Sequence, residues 1–196
     1  MRLLVACEES GAVRDAFRDK GHDAWSCDYQ ECSADPTYHI RGDVLEVIDD
    51  NWDMLIGFPT CTYLCNSGVR HLHTDPSRWL KLFEASEFFL KLWQAPIAKV
   101  VIENPIPHKY AVTLIGEKYT QLIQPWQFGH PESKATCLWE RGVEPLVETD
   151  NVYELYKSLP KKEAQRIHYM SPGADRAKER SKTFKGISLA MAQKWG

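Results

Sequence analysis

The chain has 196 residues, of which 43% are hydrophobic and 26% charged, and its formal net charge is −3. That length suits one domain with a sizeable core, and the composition is ordinary for a soluble globular protein. No apolar run approaches the roughly 20 residues that span a bilayer, and Glu8 and Glu9 interrupt the short apolar opening. Neither a membrane partner nor a signal peptide is expected, and a cytoplasmic location is. The six cysteines, at positions 7, 27, 32, 61, 65 and 137, are therefore expected as free thiols. Positive charge gathers late in the chain: Tyr156 to Gly186 holds nine Lys or Arg against three Asp or Glu. Such a segment can meet phosphates or be a solvated face.

In chain order, RLLVAC (2–7) reads as a strand, and EESGAVRDAFRDKGH as a turn and an amphipathic helix. Ala12, Ala16 and Phe17 are expected to face inward, with Gly21 ending the helix. AWSCD is a second strand ending at Asp28, residues 30–42 a polar loop, and GDVLEVIDDN a short helical or turn segment. WDMLIGF is a third strand, halted by Pro59. The long loop from there to about Ser77 has the character of a functional segment. SRWLKLFEASEFFLKLWQ predicts a helix with positions 79, 80, 82, 83, 89, 90 and 93 on a wide buried face. AKVVIENP is a fourth strand. PWQFGH, the basic segment and a short helix in ISLAMAQKW follow.

The alternation predicts an α/β fold: a mostly parallel sheet with helices on both faces. Such sheets bind ligands at the carboxyl ends of their strands. Glu8, Asp28, Asp43, Pro59, Cys61, Glu103 and Asn104 all fall there. The Ser10-Gly11 turn can bring backbone amides to a carboxylate or phosphate, or be a plain turn. Asp28, about twenty residues on, is placed to accept from ribose hydroxyls. Asp43 can meet an exocyclic amine of a purine or cap the next short helix. Cys61 stands where helix dipoles and nearby cations favour a thiolate. Cys65, His71 and His73 could join it as a zinc set, though H-x-H is short of the usual spacing. A Glu at position 103, in a low-dielectric pocket, can hold a proton near neutral pH and donate a hydrogen bond.

Taken in order, these pieces resemble the DNA cytosine-5 methyltransferase family. PTC (59–61) looks like that family's Pro-Pro-Cys motif and ENP (103–105) like its Glu-Asn-Val motif. FGHPESKAT (128–136) is similar to its Tyr-Gly-x-Pro-Gln-x-Arg-x-Arg segment, with Glu132 for Gln, and Lys134 and Thr136 for the two arginines. CEESG stands where the family has Phe-x-Gly-x-Gly, and TFKGISLAMAQKW resembles its C-terminal motif. The resemblance implies a Rossmann-like, S-adenosylmethionine-dependent methyltransferase fold over residues 1–196. The short basic segment 139–185 replaces a full target-recognition domain, as in a compact, phage-like member acting in a bacterial host's cytoplasm.

It implies a reaction too. Cys61 adds to C6 of cytosine, Glu103 binds N3, Asn104 holds the Pro59–Cys61 loop, and Lys134 stands for the arginine that orients Glu103. S-adenosylmethionine would meet Glu8, Ser10, Gly11, Asp28, Asp43, Val44, Pro59 and Thr183. The implied partner is DNA, duplex or single-stranded, with a flipped base where the substrate is duplex. The alternatives are a free cytosine nucleotide as substrate and a non-catalytic binding module.

Overall fold

Leu3, Leu4, Val5 and Ala6 are all fully buried, so strand β1 (Arg2–Ala6) has no solvent face. A strand covered on both sides is the mark of a parallel sheet sandwiched between helices. In the computed structural model, which describes residues 1–171, 173 and 180–196, β1 pairs in parallel with β2 (Asp23–Asp28) and β4 (Met54–Gly57). Strand β3 (His39–Arg41) extends the sheet beyond β2, and β5 (Lys99–Pro105) beyond β4, both in parallel. Strands β6 (Gln121–Ile123) and β7 (Thr136–Arg141) complete it. Only β7 runs antiparallel to its neighbours. The order is β3-β2-β1-β4-β5-β7-β6, the expected mostly parallel α/β class.

Side chains alternate across this sheet with the period of two that a strand imposes. Leu3 and Val5 point into one core layer with Phe17, Met54, Ile56, Met191 and Trp195. Leu4 and Ala6 point into the other with Leu55, Leu82, Phe89, Leu92 and Trp139. Helix α1 (Ala12–Arg18) and the C-terminal helix α7 (Lys185–Trp195) cover the first face. Helices α2 (Ser77–Trp93) and α3 (Lys109–Ile115) cover the second. Three short helices, α4 (Tyr153–Ser158), α5 (Lys161–Ala164) and α6 (Arg166–Tyr169), carry the described part of the basic segment. Its residues 172 and 174–179 lie outside the described residues. Among the described residues, no helix is long and apolar enough to cross a membrane.

Two expectations about buried faces need correction. Helix α2 buries the stripe Leu82, Ser86, Phe89 and Trp93, whose spacings of four, three and four keep one face inward. Leu80 and Phe83 lie off that stripe and stay 62% and 53% exposed. On α1, Ala12 is only half-buried, while Arg14 is 0% exposed beside Val13, Ala16 and Phe17. The loop read at 30–42 contains β3, too short for periodicity to reveal.

The chain reverses direction across the sheet between β1 and β4, since β2 and β3 build outward on one side and β5 on the other. Strand ends diverge at such a switch point and leave a crevice there. The turns after β1 and β4 border it.

Trp139 closes the second core layer, packing edge-on against Phe89 at 5.0 Å between ring centroids and donating its indole N–H to the Glu117 carbonyl. Trp139→Ala is expected to lower stability by about 3–5 kcal/mol, read as a fall in the urea midpoint at unchanged slope.

Candidate active site

The turn after β1 is built from unusual backbone. Cys7 has φ 60 and Gly11 φ 68, both left-handed. A Cβ at Gly11 would meet the Arg14 guanidinium, and the positive φ there strains any other residue. Arg14 is held by Asp15 at 2.7 Å and by Ser26 at 3.1 Å. Ser10 Oγ accepts from the Ala12 amide. Glu8 turns inward: its carboxyl accepts from the amides of Val13 at 2.6 Å and Arg14 at 3.3 Å, capping α1 rather than facing the crevice. Burial outweighs these two bonds and pushes its pKa up to about 7.

Asp28 and Asp43 stand beside this turn, close enough that both help to push the half-buried Cys7 thiol up to about 12; loss of solvation is the larger cause. One oxygen of Asp28 accepts from the Gln30 amide, and one of Asp43 from the Leu45 amide. The capping alternative for Asp43 is thus seen directly. Val44 is buried behind it. A glycine cradle with two carboxylates at its rim fits a ligand that brings hydroxyls and an amine, as S-adenosylmethionine does.

The turn after β4 is laced to the segment after β5. Asn104 Nδ2 donates to the Pro59 carbonyl at 2.8 Å. The Asn66 amide donates to the Ile106 carbonyl at 3.1 Å, and the His108 amide to the Leu64 carbonyl at 2.9 Å. His108 Nδ1 accepts from the Ala111 amide, which leaves Nε2–H to donate to the Tyr63 carbonyl at 2.8 Å. Cys61 sits at the head of this laced loop, half-buried.

Glu103 reaches the same edge from β5. It lines a narrow cleft with Lys134, Thr136, Thr183, Phe184, Ile187 and Met191. Burial raises its pKa, and Lys134 and the Thr136 hydroxyl pull the other way. A raised carboxyl pKa favours the protonated form, which can donate a hydrogen bond. Lys134 Nζ donates to the Lys182 carbonyl at 3.1 Å and lies 6.0 Å over the Phe184 ring. The start of α7 thus folds onto the cleft. A Cβ at Gly186 would be driven into the Phe128 carbonyl, so glycine permits this close approach. Cys61 lies within electrostatic reach of both Glu103 and the exposed Arg180.

Of the residues singled out from sequence, Glu103, Lys134 and Thr183 share one cleft, and Pro59, Cys61 and Asn104 form its neighbouring turn. Ser10, Gly11, Asp28 and Asp43 lie at the ends of β1 and β2. Sequence reasoning passed over His108, Arg180 and Phe184. The ENPIPH run could have flagged His108, because a histidine so soon after a strand-end proline is well placed to cap α3. Arg180 had no local signal. His71 and His73 are exposed, and His73 packs against Trp79 and Tyr110. Among the described residues, no group of three His, Cys, Asp or Glu could hold a metal ion. A shallow hollow around Trp52 and Ile97 lies at the opposite, amino-terminal edge of β4 and β5 and shares no residue with this cleft.

No protein-family model matches the chain, and no curated protein does. Among solved structures it is similar to a protein described as a DNA modification methyltransferase encoded within an E. coli prophage, at 13% identity and TM-score 0.48, over 82% of this chain and 56% of that one. It is similar to the Entamoeba histolytica methyltransferase EhMeth, at 14% identity and TM-score 0.49, over 77% and 57%. The S. pombe Dnmt2 methyltransferase gives 14% and 0.47, over 89% and 61%. The chain therefore spans less than two thirds of the length of each. Likeness at this level concerns the fold, and the chemistry has to be read from the residues.

Glu8 gives the site a pH signature. Between its ordinary 4.5 and about 7, the folded chain holds a proton that the unfolded chain has lost. Stability should therefore fall by up to a few kcal/mol as pH rises through that window. Urea midpoints across pH 4.5–7.5 should show this decline, and Glu8→Gln should flatten it.

Proposed function

We propose that the chain transfers a methyl group from S-adenosylmethionine to C5 of cytosine in DNA, through a covalent bond between Cys61 and C6 of the base. The observation that carries this reading is the juxtaposition of Cys61 with Glu103 at the carboxyl ends of adjacent strands. Asn104 fixes their relation by gripping the Pro59 carbonyl.

Each residue has a task that its surroundings suit. Cys61 supplies the sulfur that adds to C6. Glu103, whose pKa is raised, donates to N3 in its protonated form and draws ring electrons so that density gathers at C5. Lys134 places a positive charge beside that carboxyl. The 7–11 turn, Asp28 and Asp43 would hold S-adenosylmethionine, which supplies an electrophilic methyl group when bound. Arg180 and the exposed Lys157, Lys161 and Lys162 offer phosphate contacts.

A second reading is modification of a free cytosine nucleotide or of a single strand. It is favoured by the short path from β7 to α7, whose described part is only loops and small helices, and by the net charge of −3. Label from tritiated S-adenosylmethionine should pass to DNA and should not pass when Cys61→Ser replaces the nucleophile, with cofactor binding nearly intact. Transfer to dCMP or dCTP but not to duplex DNA would select the second reading. Cofactor binding with transfer to none of them would mark a binding module.

Asp28→Ala should weaken S-adenosylmethionine binding at unchanged fold, as measured by calorimetry. Unaltered affinity would remove Asp28 from the site.

A further inference from the structure

Arg14 has no part in the reaction set out above, yet it is a 0% exposed cation lying against the 7–11 turn. A guanidinium only donates hydrogen bonds, and burying its charge is costly unless partners meet it. Nε donates to Asp15 at 2.7 Å, and Nη1 to the Ser26 hydroxyl at 3.1 Å and to the Cys32 sulfur at 3.5 Å. Nη2 is buried and has no hydrogen-bond partner among the described residues. It is also the atom nearest to where a Gly11 Cβ would be. The unspent donors therefore lie directly against the backbone of the turn.

The amides that open α1 are already engaged. Those of Val13 and Arg14 donate to the Glu8 carboxyl, that of Ala12 to Ser10 Oγ, and that of Asp15 to the Gly11 carbonyl. An anion on this turn meets none of them; the positive charge beneath it is that of Arg14. The Asp15 side chain, its ion-pair partner, is 46% exposed, so water weakens that carboxylate's hold on the buried guanidinium. The Ser33 amide donates to the Glu9 carbonyl at 2.9 Å and ties the 30–33 loop over the turn. A cation so shielded from water acts on a nearby anion with little screening.

We propose, on the S-adenosylmethionine reading above, that Arg14 is the counter-charge for that ligand's carboxylate, a positioning residue that fixes its amino-acid end on the 7–11 turn. The ligand is then divided between groups of opposite character. Asp28 and Asp43 are acceptors and suit the hydroxyls and amine of the nucleoside end. Arg14 supplies the positive charge at the other end, and the missing side chain at Gly11 lets the guanidinium lie against the turn.

Calorimetry with two ligands separates this role from a structural one. S-adenosyl-3-thiopropylamine is S-adenosylhomocysteine without its carboxylate. The native chain should bind S-adenosylhomocysteine more tightly than the amine by about tenfold or more. Arg14→Gln should lose about tenfold to a hundredfold in affinity for S-adenosylhomocysteine, with the amine's affinity held within about twofold. Asp15→Asn, at a half-exposed position, removes the carboxylate that competes for Arg14. It should tighten S-adenosylhomocysteine binding by about two- to fivefold and leave the amine unmoved. Equal native affinity for the two ligands, a parallel loss of both in Arg14→Gln, or no loss of either would overturn the role. Should Arg14→Gln fail to fold, Asp15→Asn decides: unchanged or weaker S-adenosylhomocysteine binding would overturn it. A native chain that binds neither ligand would refute the S-adenosylmethionine reading itself.

Discussion

The hydrogen bond from Asn104 to the Pro59 carbonyl is the constraint on which the site depends. A parallel sheet fixes the ends of β4 and β5 side by side but leaves the chain beyond them free to diverge. Asn104, fully buried at the end of β5, removes that freedom. His108 repeats the device four residues later, gripping Tyr63 and Leu64 while it caps α3. A buried amide bonded to a carbonyl is costly to break, about 1–3 kcal/mol when one partner is left unpaired. Cys61 is thereby set relative to Glu103 by backbone, not by a mobile loop, which is what preorganised chemistry requires.

Low dielectric then bears on the protonation of the site. The cleft wall is poor at solvating a charge, which raises the Glu103 pKa, while Lys134 and the Thr136 hydroxyl oppose the shift.

Much of this was legible from residue order. The parallel core was readable because β1, β4 and β5 are unbroken apolar runs, and each ends in a polar or proline signal that marks the carboxyl edge. Cys61, Glu103 and Asn104 were singled out for that reason. What escaped was set by contacts distant in sequence. β3 and β6 have three residues each, and a period of two has no meaning over so few. Arg14 reads as a solvated helix residue, yet it is buried because Ser26 and Asp15 satisfy part of its guanidinium. Glu8 looked like a ligand contact and proved to be a helix cap, a choice that depends on where the first amides of α1 point. Arg180 comes to Cys61 from more than a hundred residues away.

The central claim is that Cys61 forms a covalent bond to C6 of cytosine. Incubation of the chain with S-adenosylmethionine and 5-fluorocytosine, supplied both within an oligonucleotide and as the nucleotide, tests it most directly. Fluorine at C5 cannot leave as a proton does, so the addition product accumulates. Intact mass followed by peptide mapping should place one pyrimidine adduct per chain on Cys61. An adduct on Cys65, or none with either substrate, would contradict the account.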